Sequence, residues 1–238
     1  FTDLAGNKNT GNPSVTFEVD TVAPTIVITN DDGALSIGET AAIKFTLSEP
    51  ATDFSVGDVT ASGGALSDFA GTGAAYTATF TPTAVSTEDG VLSVAAGAFT
   101  DAAGNASAAS GDHVTAIDTA APTIAITSGD TSLTLGETAA INFALSETST
   151  DFSVDDVTAS GGTLSIFAGT GAAYTATFTP TPNSTTDGVV SVAAGAFTDA
   201  AGNASTGDAS VSMTVDTVAP APSPSPAPSP SPAPSPSP

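Results

Sequence analysis

The chain has 238 residues, of which 25 are acidic and two are basic, and its formal net charge is −23. The two cations are Lys8 and Lys44, and there is no Arg, so the composition excludes proteins that grip nucleic acid or anionic membranes through basic patches. There is no Cys, which excludes a disulfide framework and a thiolate metal site.

A repeat of 98 residues organises the chain. The frame Asp-Thr-x-Ala-Pro begins at Asp20, Asp118 and Asp216, each 98 residues after the one before. Residues 21–118 and 119–216 align without a gap, and 69 of the 98 aligned positions are identical, which predicts one fold for both. We therefore divide the chain into the C-terminal fragment of a preceding repeat (1–20), two whole repeats (21–118 and 119–216) and a Pro/Ser-rich linker or tail (217–238).

The fragment at residues 1–20 contains a single strand-like segment. Val15, Phe17 and Val19 alternate with polar residues, and a lone strand cannot bury such a face. Two interpretations remain: the segment belongs to a repeat of a longer chain, or it pairs with the sheet edge of another molecule.

Within each whole repeat the hydrophobic period is two. In the segment 75–81, for example, Tyr76, Ala78 and Phe80 alternate with three Thr residues, which is typical of a half-buried strand. Seven strands separated by Gly- and Asp-rich turns predict an all-β chain of tandem Ig-like antiparallel β-sandwich domains with a disordered Pro-rich tail. In the first repeat the predicted strands are A (Thr25–Thr29), B (Ala41–Ser48), C (Val59–Ser62), D (Ala65–Phe69), E (Ala75–Thr81), F (Val91–Ala96) and G (His113–Ile117).

The tail alternates Pro with Ser or Ala from Ala219 onward. This composition favours extended polyproline II. It suits a semi-rigid stalk, a segment that crosses a cell wall, or a peptide ligand. No apolar run in the chain reaches the eighteen or so residues of a membrane helix.

The sequence contains few residues of the types that catalyse reactions. The one His, His113, is replaced by Val15 and Val211 at the equivalent positions, so we interpret it as a tolerated substitution in strand G. The Gly-Thr-Gly stretches at Gly71–Gly73 and Gly169–Gly171 predict hairpin loops rather than phosphate cradles, because no helix or Lys follows them. We therefore predict that the chain is not an enzyme.

Acidic and amide side chains recur at loop positions. In an Ig-like sandwich the B–C and F–G loops lie at the end where strand A begins, so each junction Asp should approach those loops of the following repeat. Oxygen ligands without a basic partner suit Ca²⁺ better than Mg²⁺. The alternative is ordinary turn chemistry, since Asp-x-x-Gly-Asn is a favourable turn. The two candidate metal-binding sets are Asp20, Glu49, Asp53, Asp101 and Asn105, and Asp118, Glu147, Asp151, Asp199 and Asn203.

Three motifs give the chain a family resemblance: the Asp-Thr-x-Ala-Pro-Thr junction, the LSE turn at Leu47–Glu49 and Leu145–Glu147, and the stretch AGAFTDAAGN at Ala96–Asn105 and Ala194–Asn203. Together they resemble the bacterial Ig-like repeats of giant surface adhesins and biofilm-associated proteins, over residues 1–220. The resemblance implies an extracellular array that holds a distal ligand-binding domain away from the cell. It also implies calcium at the junctions, held by the junction Asp, the LSE Glu and the Asp and Asn of the DAAGN loop.

The predicted function is that of structural spacer repeats in a secreted or cell-surface bacterial adhesin, stiffened by Ca²⁺ at the domain junctions. The expected partners are neighbouring repeats of the same longer chain, without nucleic acid and without membrane insertion. The alternative is that the repeats themselves bind a glycan or a surface. The absence of Trp and the inward positions of Tyr76 and Tyr174 count against that alternative, whereas the Thr-rich outer face of strand E would suit it.

Overall fold

The computed structural model describes residues 1–11, 14–223 and 225. They form two compact units, the first containing residues 1–121 and 201–203, the second containing residues 122–200 and the described residues from 204 onward. The conformation predicted for the Pro/Ser-rich tail concerns mostly residues outside the described part of the chain. Within the described residues, no helix combines the length and the apolar character needed to cross a membrane.

The strands of the first unit follow the predicted order closely. Strands C and G have the predicted bounds, strand A is displaced by one residue, and the predicted strands D and E lie within one long element. In chain order the strands are β1 (Ile26–Asn30), β2 (Ala34–Leu35), β3 (Ala41–Ala51), β4 (Val59–Ser62), β5 (Gly64–Pro82), β6 (Gly90–Val94) and β7 (His113–Ile117).

Two sheets build this unit, with the strand orders β1-β3-β5 and β2-β7-β6-β4. Element β5 contains a hairpin at Gly71–Gly73, and its ends meet where the Thr83 N–H donates to the Gly63 carbonyl at 2.9 Å. All pairs are antiparallel except β2 with β7, which run parallel. The all-β, Ig-like sandwich expected from the sequence is confirmed.

The second unit repeats this arrangement, with the strand orders β12-β10-β8 and β11-β13-β14-β9. A short 3₁₀ turn precedes the C strand in both units, at Val56–Asp58 and Val154–Asp156. The strands are β8 (Ile124–Ser128), β9 (Ser132–Thr134), β10 (Ala139–Ser149), β11 (Val157–Ser160), β12 (Gly162–Pro180), β13 (Gly188–Val192) and β14 (Ala209–Asp216).

The period-two pattern places alternate side chains in the core. In β3, Ile43, Phe45 and Leu47 are buried while the residues between them are exposed, and in β5 Tyr76 and Phe80 are buried in the same way. Burying a large apolar side chain contributes roughly 1.5–3 kcal/mol. Alternation therefore ties each strand to one register, because a shift by one residue would turn the whole apolar set to solvent.

Phe54 is the centre of the core in the first unit. It follows strand β3 and its ring packs against four other aromatic rings, with centroid distances between 5.1 and 5.7 Å. Phe152 has the same surroundings in the second unit. The partners of Phe54 are Phe45, Phe69, Tyr76 and Phe99.

We expect Phe54→Ala to lower the free energy of unfolding of the first repeat by about 3–5 kcal/mol, because it removes a buried ring that contacts four other aromatic rings and leaves a cavity. Urea denaturation followed by circular dichroism measures the loss. Phe17→Ala is the matched control, since Phe17 is 82% exposed. Equal losses in the two variants would contradict the assignment of Phe54 as the core centre.

Candidate metal site

The structure brings three acidic side chains together in the first unit. Asp20 precedes β1, Glu49 lies near the end of β3, and Asp101 lies in the loop after β6. An isolated bridge between Ala51 and Asp101 joins the end of β3 to that loop. The convergence predicted for these three residues from strand topology is therefore present in the structure.

The three carboxylates have a spacing that suits one shared cation. One oxygen from each of Asp20, Glu49 and Asp101 lies within 4.8 Å of the other two. Two oxygens that bind the same Ca²⁺, each about 2.4 Å from it, are at most about 4.8 Å apart. The group therefore needs little rearrangement to surround an ion, and its hard oxygen donors are those that Ca²⁺ prefers.

The electrostatics of the cluster favour cation binding. Burial, together with the negative charges of Asp20 and Asp101, raises the pKa of the Glu49 carboxyl. Among the described side chains the ion pair present is that of Lys44 with Asp31, at 2.8 Å, and both its members lie outside the cluster. The repulsion among the three carboxylates is therefore a cost that a bound cation would remove.

Asn105 holds the Asp101 carboxylate in place. Its backbone N–H and side-chain amide both donate to Asp101, at 2.8 Å each, and its amide also donates to the Asp20 carbonyl at 3.2 Å. Asp101 is only 7% exposed, and burial acts to raise its pKa. The hydrogen bonds from Asn105 and from the backbone of Ala103 and Gly104 together outweigh burial and keep that pKa below its ordinary value.

The same Asp–Asn turn also forms where no cluster surrounds it. In residues 1–7 the Asn7 backbone and side chain donate to Asp3 at 2.9 Å each, and the hydrogen bonds lower the pKa of Asp3. The turn interpretation of Asp-x-x-Gly-Asn is thus sufficient for the local conformation of this loop. What distinguishes a candidate metal site is the approach of Asp20 and Glu49, which the turn does not require.

Asp53 contacts the F–G loop in a different way. Both its carboxylate oxygens accept from the Thr100 N–H, at 3.0 and 3.1 Å, and one also accepts from the Thr100 hydroxyl at 2.8 Å. These bonds lower the pKa of Asp53. Asp53 therefore fixes the residue before Asp101, while its own oxygens already have partners.

The second repeat reproduces these local contacts. Asp151 accepts from the N–H and hydroxyl of Thr198, at 3.0 and 2.8 Å, and Asp199 is 4% exposed. The amide of Asn203 donates to the carbonyl of Asp118 at 2.9 Å. Of the three acids equivalent to the first cluster, Asp118 belongs to the first compact unit, whereas Glu147 and Asp199 belong to the second.

His113 lies in a small polar network on strand β7. Its Nε2 is 3.1 Å from the Asn30 Oδ1, and the Asn30 amide donates to the Thr115 hydroxyl at 3.0 Å. In the second repeat the equivalent residues are Val211, Ser128 and Met213, of which Met213 is buried. The network therefore contributes a copy-specific contact between strands β1 and β7.

The paired three- and four-stranded sheets, with a parallel strand at the edge next to β7, define an Ig-like β-sandwich. A sequence profile described as "Bacterial Ig-like domain" matches the chain twice, at residues 20–117 and 118–215. The chain belongs to this family of bacterial Ig-like domains.

Solved structures with similar backbones include two bacterial adhesins and one mouse ectodomain. The adhesin FdeC of Escherichia coli shares 19% identity (TM-score 0.38), and the match covers 86% of this chain and 66% of that one. The adhesin InvE of Yersinia pseudotuberculosis shares 13% identity (TM-score 0.33), and the match covers 81% of this chain and 59% of that one. The ectodomain of mouse nectin-like molecule 4 shares 11% identity (TM-score 0.34), and the match covers 80% of this chain and 63% of that one. The chain spans less than two thirds of each of these structures, and no curated protein matches it in sequence.

We expect Asp53→Ala to destabilise the first repeat by about 1 kcal/mol in EDTA, because the Thr100 N–H and hydroxyl lose their acceptor. If the three converging carboxylates hold calcium, a rise in melting temperature on adding calcium should persist in this variant, since those carboxylates are unchanged. Thermal unfolding with and without calcium measures both quantities, and Asp32→Ala controls for the loss of one negative charge. A complete loss of the calcium response in Asp53→Ala would instead make Asp53 a ligand.

Proposed function

We propose that this chain is a spacer segment of a secreted or cell-surface bacterial adhesin, and that its repeats bind Ca²⁺ at the junctions between domains. Tandem identical folds spaced by 98 residues are the organisation expected of an extended array. The observation that carries the calcium proposal is the convergence of Asp20, Glu49 and Asp101 within 4.8 Å. The partners in this proposal are neighbouring repeats of the same longer chain.

The five residues of each predicted set have different roles in this proposal. Asp20, Glu49 and Asp101 are the carboxylate ligands, and nearby backbone carbonyls and water complete the six to eight oxygens that Ca²⁺ takes. Asp53 and Asn105 position the loop that carries Asp101. By the identity of the two repeats, the equivalent residues would act in the same way at the next junction: Asp118, Glu147, Asp151, Asp199 and Asn203.

Calcium would act on the array through the junction aspartate. This residue ends one repeat in the sequence, while the other two ligands belong to the following repeat, so an ion that binds all three ties the connection to the following domain. It would also relieve part of the repulsion in a chain with a net charge of −23. Both effects favour an array that bends little, which is what a spacer requires.

The alternative, in which the repeats themselves bind a glycan, receives little support from the aromatic residues. Tyr76 and Tyr174 are 6% and 7% exposed, so their rings are not available to stack on a sugar. Their hydroxyls donate to the carbonyls of Ala51 and Ser149, at 3.0 and 3.3 Å. A glycan array and an adsorption assay with the purified chain test this alternative, and specific binding in either would favour it over the spacer proposal.

We expect calcium to raise the melting temperature of the chain relative to EDTA. At a concentration 100-fold above Kd, one site stabilises the folded state by about 2.7 kcal/mol, which corresponds to about 10 °C or more in a domain of this size. Differential scanning calorimetry measures the shift. If calcium changes neither the melting temperature nor the small-angle scattering of the wild-type chain, the calcium proposal is wrong.

Glu49→Gln should remove the calcium response of the first repeat without weakening the fold. The substitution keeps the shape of the side chain but removes its negative charge. Burial and the neighbouring carboxylates raise the pKa of the Glu49 carboxyl, which means that its charged form is unfavourable in the folded state. The variant should therefore melt in EDTA at or above the wild-type temperature. Glu88→Gln makes the same change in an exposed loop and should keep the full calcium response. Asp118→Ala tests the second junction in the same assay.

A further inference from the structure

The threonine that follows each junction aspartate is a buried polar residue in both complete units. Thr119 is 6% exposed and Thr217 is 2% exposed, whereas Thr21, at the same position of the first junction frame, is exposed. In the sequence, Thr119 is the first residue of the second repeat. In the structure it belongs to the first unit.

Thr119 is hydrogen-bonded through its N–H and its hydroxyl to the loop that follows β5, which we name the E–F turn (residues 83–89). Its N–H donates to the Ser86 carbonyl at 2.8 Å. Its hydroxyl accepts from the Ser86 N–H at 3.0 Å and donates to the Thr83 carbonyl at 2.7 Å. A single side chain thus satisfies a donor and an acceptor of the turn at once.

The second unit repeats this arrangement. The Thr217 N–H donates to the Ser184 carbonyl at 2.9 Å, and its hydroxyl accepts from the Ser184 N–H at 2.9 Å and donates to the Thr181 carbonyl at 2.7 Å. The contact is retained although the turn sequence changes from Ala84-Val85 to Pro182-Asn183. It therefore depends on backbone positions rather than on the side chains of the turn.

The backbone of the E–F turn carries an unfavourable conformation next to this contact. Val85 has φ of 55°, a left-handed conformation that is strained for a β-branched residue, and Asn183 has φ of 52° at the same position. Such strain persists only where the surrounding contacts require it. Here the residue that follows, Ser86, is the one whose N–H and carbonyl both bond to Thr119.

The chain after the junction is anchored on its other side as well. The Pro122 carbonyl accepts from the Thr206 N–H at 2.9 Å within the second unit, and the Pro24 carbonyl accepts from the Ala108 N–H at 2.9 Å within the first. Between the anchor at Thr119 and the anchor at Pro122 lie Ala120 and Ala121. The Ala120 N–H donates to the Asp118 carboxylate at 3.2 Å and its carbonyl accepts from the Asn203 amide at 3.4 Å.

We propose that the junction threonine is a latch that fastens the exit of each repeat to its own E–F turn and so confines bending between repeats to the short segment between this threonine and the next anchored proline. The biological role of the latch rests on the spacer function proposed above. The latch itself acts without calcium. An array built in this way would keep a limited bending range at low calcium, and the ion would restrict that range further.

The test measures interdomain bending in EDTA, with the latch weakened. Because the chain has no Cys, Thr77→Cys and Thr175→Cys introduce one spin-label position in each unit, both at exposed sites. We expect Thr119→Val, which keeps the shape but loses the hydroxyl, to broaden the distance distribution between the labels. It should also lower the melting temperature of the first repeat by about 5 °C. Thr119→Ser keeps the hydroxyl and should restore the wild-type width.

Two matched variants separate the latch from a general loss of stability. Thr217→Val removes the same hydrogen bonds beyond the second repeat, so it should lower the melting temperature of that repeat and leave the distance distribution unchanged. Thr21→Val alters an exposed residue and should change neither quantity. A wild-type width in Thr119→Val, or an equal broadening in Thr217→Val, would overturn the proposal.

Hydrogen exchange in the unmodified chain provides a second measurement that needs no variant. The latch predicts slow exchange at the amides of Ser86 and Ser184, and fast exchange at Ala121. Fast exchange at both serines would overturn the latch even if Thr119→Val failed to fold. The calcium proposal is judged separately by adding calcium to the wild-type chain, so either proposal can fail without the other.

Discussion

The packing of Phe54 against four aromatic rings is the interaction on which the rest of the first unit depends. It packs strands β3 and β5 against the loop after β6. It also positions the loops that carry Asp53 and Asp101, because Phe54 directly follows Asp53 and Phe99 lies two residues before Asp101. The ring centroids of Phe54 and Phe99 are 5.2 Å apart. The candidate metal site therefore adjoins the hydrophobic core through the loop that carries Asp101.

The acidic cluster has the opposite energetic character. Its carboxylates approach one another despite their charges. Burial and, after it, the charges of Asp20 and Asp101 raise the pKa of Glu49. The core, the Asn105 hydrogen bonds and the Asp53–Thr100 contact hold these charges together in the folded state. Folding already brings the carboxylates together, so a cation that binds there would bind the folded state more tightly than the unfolded state. Such a cation would therefore raise the free energy of unfolding.

The two ends of each repeat have complementary tasks. At the start, a junction Asp, a Glu near the end of the B strand and an Asp of the F–G loop form the candidate metal site. At the other end, a buried threonine is hydrogen-bonded to the E–F turn. In this turn Val85 has a left-handed backbone conformation, which a β-branched residue does not favour. Both groups lie at or next to the few residues that connect one sandwich to the next. The connection between repeats is thus where this otherwise regular fold has its most specific chemistry.

The sequence by itself determined the all-β class and the bounds of strands C and G, because hydrophobic alternation marks the strands. It also indicated the convergence of Asp20, Glu49 and Asp101, because an Ig-like sandwich places the B–C and F–G loops where strand A begins. It did not reveal strand β2, whose two residues are too few to show a period. Nor could it separate Asp53, which bonds to Thr100, from the acids that converge. Aspartate serves both to hold the Thr100 backbone and to join the acidic cluster, and only the distances in the structure distinguish the two positions. The partners of Thr119 lie 33 and 36 residues away, so only the packed tertiary structure could bring its hydroxyl to the E–F turn.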